Sequence, residues 1–187
     1  MPRVKKKYDI AFVGNMGYYP NIQAAIFLVK KILPQLTQNR TITLLIAGAR
    51  PSVEVKNLAN KNITVTGWVE DIREAYASAK IFVAPIFHGR GQQNKILEAM
   101  AMGIPCITSE QVNQAIGAKN GASILIANDA KSCQEQISLL LQDVALQNQL
   151  SKKGLDFIHK NYSWEKYGKQ LEEIIVTNVK NINHAND

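Results

Sequence analysis

Short, continuously apolar runs alternate with longer amphipathic ones as far as residue 127, and this alternation constrains the fold more than any other feature of the chain. Six runs read as strands: "DIAFV" (Asp9–Val13), "TITLLIAG" (Thr41–Gly48), "ITVTG" (Ile63–Gly67), "IFVAP" (Ile81–Pro85), "PCITS" (Pro105–Ser109) and "SILIA" (Ser123–Ala127). Apolar spacing predicts helices over Asn21–Leu36, Ser52–Ala59, Glu70–Ser78, Gln92–Met102 and Gln111–Ala118. After the sixth strand only helices follow, over Ala130–Gln142, Val144–Asn161 and Ser163–Asn178. Strands that are apolar throughout, rather than at every second position, are covered on both faces and therefore parallel. The expected fold is a doubly wound α/β domain with a six-stranded parallel sheet.

The 187 residues suffice for one such domain. Residues 1–7 read as a basic tail, 8–179 as the domain and 180–187 as a disordered polar tail. The opening "MPRVKKKYDI" lacks the apolar core of a signal peptide, and no apolar run reaches the roughly 18 residues of a membrane span. Cys106 and Cys133 fit no metal-ligand spacing, and Cys106, within "PCIT", reads as a core thiol. A reducing, cytoplasmic setting fits this usage. The net charge of +7 favours an anionic ligand or surface. No aromatic residues interleave with the basic ones and no nucleic-acid-binding motif accompanies them, so nucleic acid is not expected as a partner.

In a sheet of this kind ligands sit outside the carboxyl ends of the strands. Gly14 and Asn15 fall there after the first strand, Gly48, Ala49 and Arg50 after the second, and Gly67, Trp68 and Val69 after the third. Pro85 to Asn94 follow the fourth strand and Ser109 the fifth. The segment after the fourth is the richest, "HGRGQQNKILEAMAMGIP" from His88 to Pro105. Gly89 and Gly91 permit close backbone approach, and the helix that follows aims free N–H groups and the positive end of its dipole at the loop. That arrangement suits a phosphate. Lys95 opposes the helix dipole, so an anion explains it better than helix stability does; the alternative is an i,i+3 pair with Glu98. Glu98, between Leu97 and Ala99, reads as a buried carboxylate that needs partners. Vicinal ribose hydroxyls would supply them, and a backbone amide is the structural alternative.

"GRGQQNKILEAMAMGIPCITS" resembles the signature of the family 4 glycosyltransferases, which have the GT-B architecture. "FVGNMGYYPN", "LLIAGARP", "ITVTGWVEDIREAYASAKIFVAP" and "YSWEKYGKQLEEII" resemble other segments of the same family, so the likeness spans residues 8–176. It implies a Rossmann-like donor-nucleotide domain, the C-terminal half of a two-domain retaining enzyme that transfers a hexosyl group to a glycan or lipid-linked acceptor in polysaccharide synthesis. Glu98 matches the second glutamate of the family's E-x7-E pair, which holds the ribose. The backbone around Trp68, Val69 and Ile72 would hold the base. Gly14 and Asn15 would face the diphosphate, and Gly89, Arg90, Gly91, Gln92 and Asn94 the phosphates and donor sugar, with Lys95 on the phosphate and Arg50 a further contact. The nucleotide-sugar is a substrate; no cofactor and no metal are implied.

Two departures from the family pattern matter. The first glutamate of the pair would fall at position 90, which is Arg90, so sugar recognition must differ from the family's usual form. The family also places an acceptor-binding domain before this one, and that partner is expected elsewhere in a longer protein or on a separate chain. Much of the catalytic cleft would belong to it, so no catalytic residue is assigned; His88, His159 and His184 do not form a catalytic set. A peripheral contact with the inner face of the membrane stays open. So do a non-catalytic nucleotide-binding module on the same fold and half of a GT-B nucleotide-sugar epimerase.

Overall fold

A computed structural model describes residues 6–38, 40–87 and 91–184. Its six strands are β1 (Tyr8–Val13), β2 (Leu44–Ala47), β3 (Ile63–Val65), β4 (Ala79–Ala84), β5 (Cys106–Thr108) and β6 (Leu125–Ile126). They form one sheet in the order β3-β2-β1-β4-β5-β6, and every pairing is parallel. The chain builds outward from β1 through β2 to β3, then crosses back to build β4, β5 and β6 on the other side. The order therefore reverses between β1 and β4, and the crevice outside their carboxyl ends is the topological switch point.

The central strands are buried along nearly their whole length, as their unbroken apolar sequences require. Helices α1 (Tyr19–Phe27), α2 (Leu33–Leu36) and α7 (Ala130–Gln142) pack together along one side of the sheet. The crossover from β3 back to β4 runs the opposite way to that from β1 to β2, so right-handed connections put α4 (Ile72–Ala77) and α5 (Asn94–Ala101) on the other face. Helix α8 (Val144–Asn161) covers α5 there. Helices α3 (Val53–Lys56) and α6 (Glu110–Ile116) are short connections, and α9 (Trp164–His184) closes the described chain.

Three expectations need correction. The helix expected over Asn21–Leu36 begins at Tyr19 and is not uniform: Leu28–Ile32 forms a π-helical turn, with Leu33 N–H bonded back to the Leu28 carbonyl. Pro34 explains it, because proline offers no N–H and its ring crowds the carbonyl four residues earlier, so the preceding turn widens. The polar tail expected from residue 180 is helical as far as His184. Within the expected N-terminal tail, Lys6 Nζ donates to the Ala79 carbonyl (2.7 Å) and Lys7 N–H to that of Ser78 (2.8 Å), which ties both residues to the start of β4.

The amino ends of the strands carry a separate polar cluster. Asp9 Oδ1 accepts from Lys80 Nζ at 2.8 Å and lies 3.7 Å from Arg40, while Oδ2 accepts from the Thr43 N–H (2.9 Å) and hydroxyl (3.1 Å). The carboxylate thereby bridges β1, β4 and the residue before β2.

Candidate functional site at the switch point

The turn after β1 and the turn after β2 are built against each other. Gly14 N–H donates to the Ala47 carbonyl and Met16 N–H to that of Ala49. Gly48 has φ +135°, and a Cβ there would lie 1.9 Å from the Gly14 carbonyl oxygen. No side chain fits between the two backbones, which accounts for the glycine. Arg50, at φ 55°, is a non-glycine residue with positive φ; it stands exposed at the end of this turn with its carbonyl against Gly17.

Asn21, buried in the first turn of α1, reaches across this assembly. Its Nδ2 donates to the Asn15 carbonyl (2.9 Å), and its Oδ1 accepts from Lys95 Nζ (3.0 Å). Lys95 Nζ donates also to Gln93 Oε1 at 2.8 Å. The ammonium group, carried on α5, thus lies over the Gly14 turn of β1; a Cβ on Gly14 would come within 3.1 Å of Lys95 Cε. Among the described residues its acceptors are two neutral amides, and no carboxylate bonds to it. Burial lowers the lysine pKa to about 8, with the Glu98 charge working in the opposite direction. Lys95 does not form the i,i+3 ion pair with Glu98 that the sequence left open.

Gln93 is the N-cap residue of α5, but its side-chain oxygen serves Lys95 and not the first N–H groups of the helix. The positive end of the helix dipole therefore adds to the lysine charge at this point. Gly91 (φ +85°), Gln92 and Asn94 are exposed just ahead of it. His88, Gly89 and Arg90 lie outside the described residues.

Glu98 corrects a further expectation: it is exposed, not buried. An α-helix turns about 100° per residue, so Leu97 and Ala99 are not its neighbours in space. Helix α5 buries Ile96, Ala99 and Met100 and points Glu98 away from them. Among the described residues the carboxylate has one hydrogen-bond partner, the hydroxyl of Tyr76 on α4, which donates to Oε2 at 2.7 Å. Beyond Glu98 opens a groove of about 340 Å³ lined by Leu97, Ile158, Tyr162, Trp164 and Tyr167. Trp68 is 73% exposed, while Val69 and Ile72 are half-buried. Trp68 and Val69 lie in the loop after β3, two strands from β1, and Ile72 opens α4, which reaches Glu98 through Tyr76.

The structure thus gathers Gly14, Asn15 and Lys95 into one cluster, sets Gln92 and Asn94 at its rim, and places Glu98 one turn further along α5. Arg50 joins through the paired turns, and the Trp68 segment through α4. Sequence reasoning overlooked Asn21 and Tyr76, and it placed Gln93 on the sugar-facing loop without foreseeing its bond to Lys95. Asn21 carries a legible signal, a polar residue on the apolar face of a predicted helix; Tyr76 reads as core, and only its hydroxyl is functional in appearance. Among the described residues no group of three or more His, Cys, Asp or Glu side chains could hold a metal ion, and no helix is long and apolar enough to cross a membrane.

Comparison with known proteins gives a consistent picture. The family model described as "Glycosyl transferases group 1" matches residues 7–143. The O-antigen chain mannosyltransferase B of Escherichia coli is 28% identical over 178 residues, which are 87% of this chain and 45% of that protein. The chain spans about half the length of the curated relatives it matches, between 43% and 47%. Among solved structures, Anabaena HepE in complex with UDP superposes with a TM-score of 0.75 at 11% identity, covering 92% of this chain and 49% of that one. The C-terminal domain of a group 1 glycosyl transferase family protein, LpcC from Francisella tularensis, superposes with a TM-score of 0.60 at 20% identity, covering 86% of this chain and 89% of that one. At such identities the likeness to solved structures establishes the fold.

Proposed function

The chain belongs to the group 1 glycosyl transferases, and we propose that it forms the donor half of one, binding a nucleotide-sugar for transfer of the sugar to a growing polysaccharide. One observation carries the reading: the Lys95 ammonium, held by two neutral amides, lies between the Gly14 turn and the uncapped start of α5 at the switch point. A diphosphate placed there would meet a full positive charge, a helix dipole and close backbone, while its ribose would fall toward Glu98 one helical turn away.

The same groups suit the chemistry. When the bond between the sugar C1 and the diphosphate oxygen breaks, negative charge grows on that oxygen. Pre-organised donors aimed at developing charge lower the barrier, and Lys95 with the α5 N–H groups would serve in that way without a metal or cofactor. Trp68, Val69 and Ile72 flank the position of the base. An acceptor domain would complete the cleft, with retention of configuration at C1. The mannosyltransferase relative directs the reading toward a hexosyl donor and a cell-surface polysaccharide, and with it toward the cytoplasm and the inner face of the membrane.

Calorimetric titration of UDP, GDP and ADP against the corresponding nucleosides tests the proposal. The diphosphate of one base is expected to bind at least about tenfold more tightly than its nucleoside, and Lys95→Ala to remove most of that margin. Equal affinity for nucleoside and diphosphate would refute the assignment of the phosphate site.

A further inference from the structure

The bond between Tyr76 and Glu98 lies outside the cluster around Lys95. Tyr76 is 1% exposed, its ring packed 5.4 Å from that of Phe82. Its hydroxyl, at the far end of the ring, meets the carboxylate of an exposed residue on a different helix. A phenylalanine would fill the same space. A buried tyrosine needs a partner for its hydroxyl, but an exposed glutamate has water and needs none. The bond satisfies the Tyr76 hydroxyl, which the core could have dispensed with by using phenylalanine, and in doing so it holds the Glu98 carboxylate in one place.

Resting on the reading of Glu98 as the ribose acceptor, we infer that Tyr76 is a positioning residue for nucleotide binding, selecting the rotamer in which Glu98 can take both hydroxyls of a vicinal diol. A glutamate carboxylate has two oxygens and about four acceptor positions. Tyr76 takes one on Oε2, which fixes the side-chain torsions; among the described residues no other hydrogen bond is made to the carboxylate, so Oε1 and the remaining position on Oε2 can accept from a ligand. A free, exposed glutamate would give up much of its rotamer entropy on closing around a ribose; one already held by Tyr76 has done so in advance. Burial and the adjacent Glu98 charge both push the Tyr76 pKa upward, so the phenol stays a proton donor throughout the pH range of a folded protein.

The test compares wild type, Tyr76→Phe and Glu98→Gln in the full chain. UDP, GDP and ADP are titrated first, then the tightest binder is compared with its 2′,3′-dideoxy form, alongside melting of the unliganded proteins. Wild type should lose about tenfold or more in affinity when the diol is removed, as expected for hydrogen bonds to a charged acceptor. Tyr76→Phe should bind the parent nucleotide roughly three- to tenfold more weakly, hardly change its affinity for the dideoxy form, and melt close to wild type. If Tyr76→Phe weakens both nucleotides equally, fails to fold, or keeps full discrimination for the diol, the hydroxyl serves the core and the inference is overturned. If wild type itself ignores the diol, or binds none of the nucleotides, the ribose reading of Glu98 fails first; normal discrimination lost only in Glu98→Gln would keep that reading and remove Tyr76 from it.

Discussion

Asn21 and Lys95 are joined across the crevice, Nζ to Oδ1 at 3.0 Å, while the other end of the same amide grips the Asn15 carbonyl. One buried side chain therefore sets both the turn after β1 and the cation from α5. Asn21→Asp keeps the shape but puts a carboxylate against the ammonium. The pair would neutralise itself, so diphosphate affinity is expected to fall at least about tenfold, and because the donor to the Asn15 carbonyl is lost the unliganded protein is expected to melt below wild type. Titration calorimetry and thermal melting on the same variant check this; unchanged affinity would mean that the ammonium does not read the phosphate.

Lys95 also makes binding depend on pH. Its pKa is lowered to about 8 in the folded chain from the ordinary lysine value of 10.5, because burial disfavours the charged form. An anion bound beside it favours that form, so binding takes up protons above pH 8. Diphosphate affinity should hold below pH 8 and fall above it by up to about tenfold per pH unit. For the unliganded chain the sign is opposite. Between the folded and unfolded pKa values the unfolded state holds more protons, so this residue's contribution to stability rises from about pH 8 to pH 10.5. Both slopes should vanish in Lys95→Met, which titrations across the range would reveal.

Gly48→Ala would place a methyl group 1.9 Å from the Gly14 carbonyl oxygen on a backbone held at φ +135°. Positive φ alone costs a residue with a side chain about 1–3 kcal/mol, and the clash can be relieved only by parting the two turns. The expected result is destabilisation by at least about 3 kcal/mol, with diphosphate binding lost even where the protein stays folded. Gly67→Ala, where a Cβ would meet nothing within 4 Å, is the control and should melt as wild type does.

Asp9 stabilises the fold at the opposite end of the sheet. Burial pushes its pKa up, but the bonds from Lys80 and Thr43 outweigh that and hold it below the usual carboxylate range. A depressed carboxyl pKa gives stability that is present above the unfolded value, about 3.9, and lost as pH falls through the folded one. Asp9→Asn should therefore destabilise the protein by roughly 1–3 kcal/mol at neutral pH, and the gap from wild type should narrow as pH falls below about 4. Nucleotide affinity should not change, because the cluster lies at the amino ends of the strands. Denaturant unfolding at pH 7 and pH 3 separates these outcomes.

Much of the architecture is legible in residue order alone. Runs such as "TLLIA" and "IFVAP" are apolar at nearly every position, and only a strand covered on both faces has use for that, so a parallel doubly wound sheet and its crevice follow from the pattern. The glycines after the first and second strands and the lysine near the start of the fifth helix are legible as candidate site residues for local reasons: glycine permits close backbone approach, and a lysine at a helix N-terminus opposes the dipole. The pairing of those positions is a different matter. That Asn21 meets both Asn15 and Lys95, and that Tyr76 meets Glu98 across 22 positions, depends on how α1, α4 and α5 are rotated about their axes. The summed packing of each helix against the sheet decides that rotation. The same rotation exposes Glu98 although its neighbours in sequence are apolar, since adjacent residues on a helix face directions about 100° apart. Periodicity names the buried face of each helix, but the few degrees that bring one hydroxyl within 2.7 Å of one carboxylate exist only once the helices are docked.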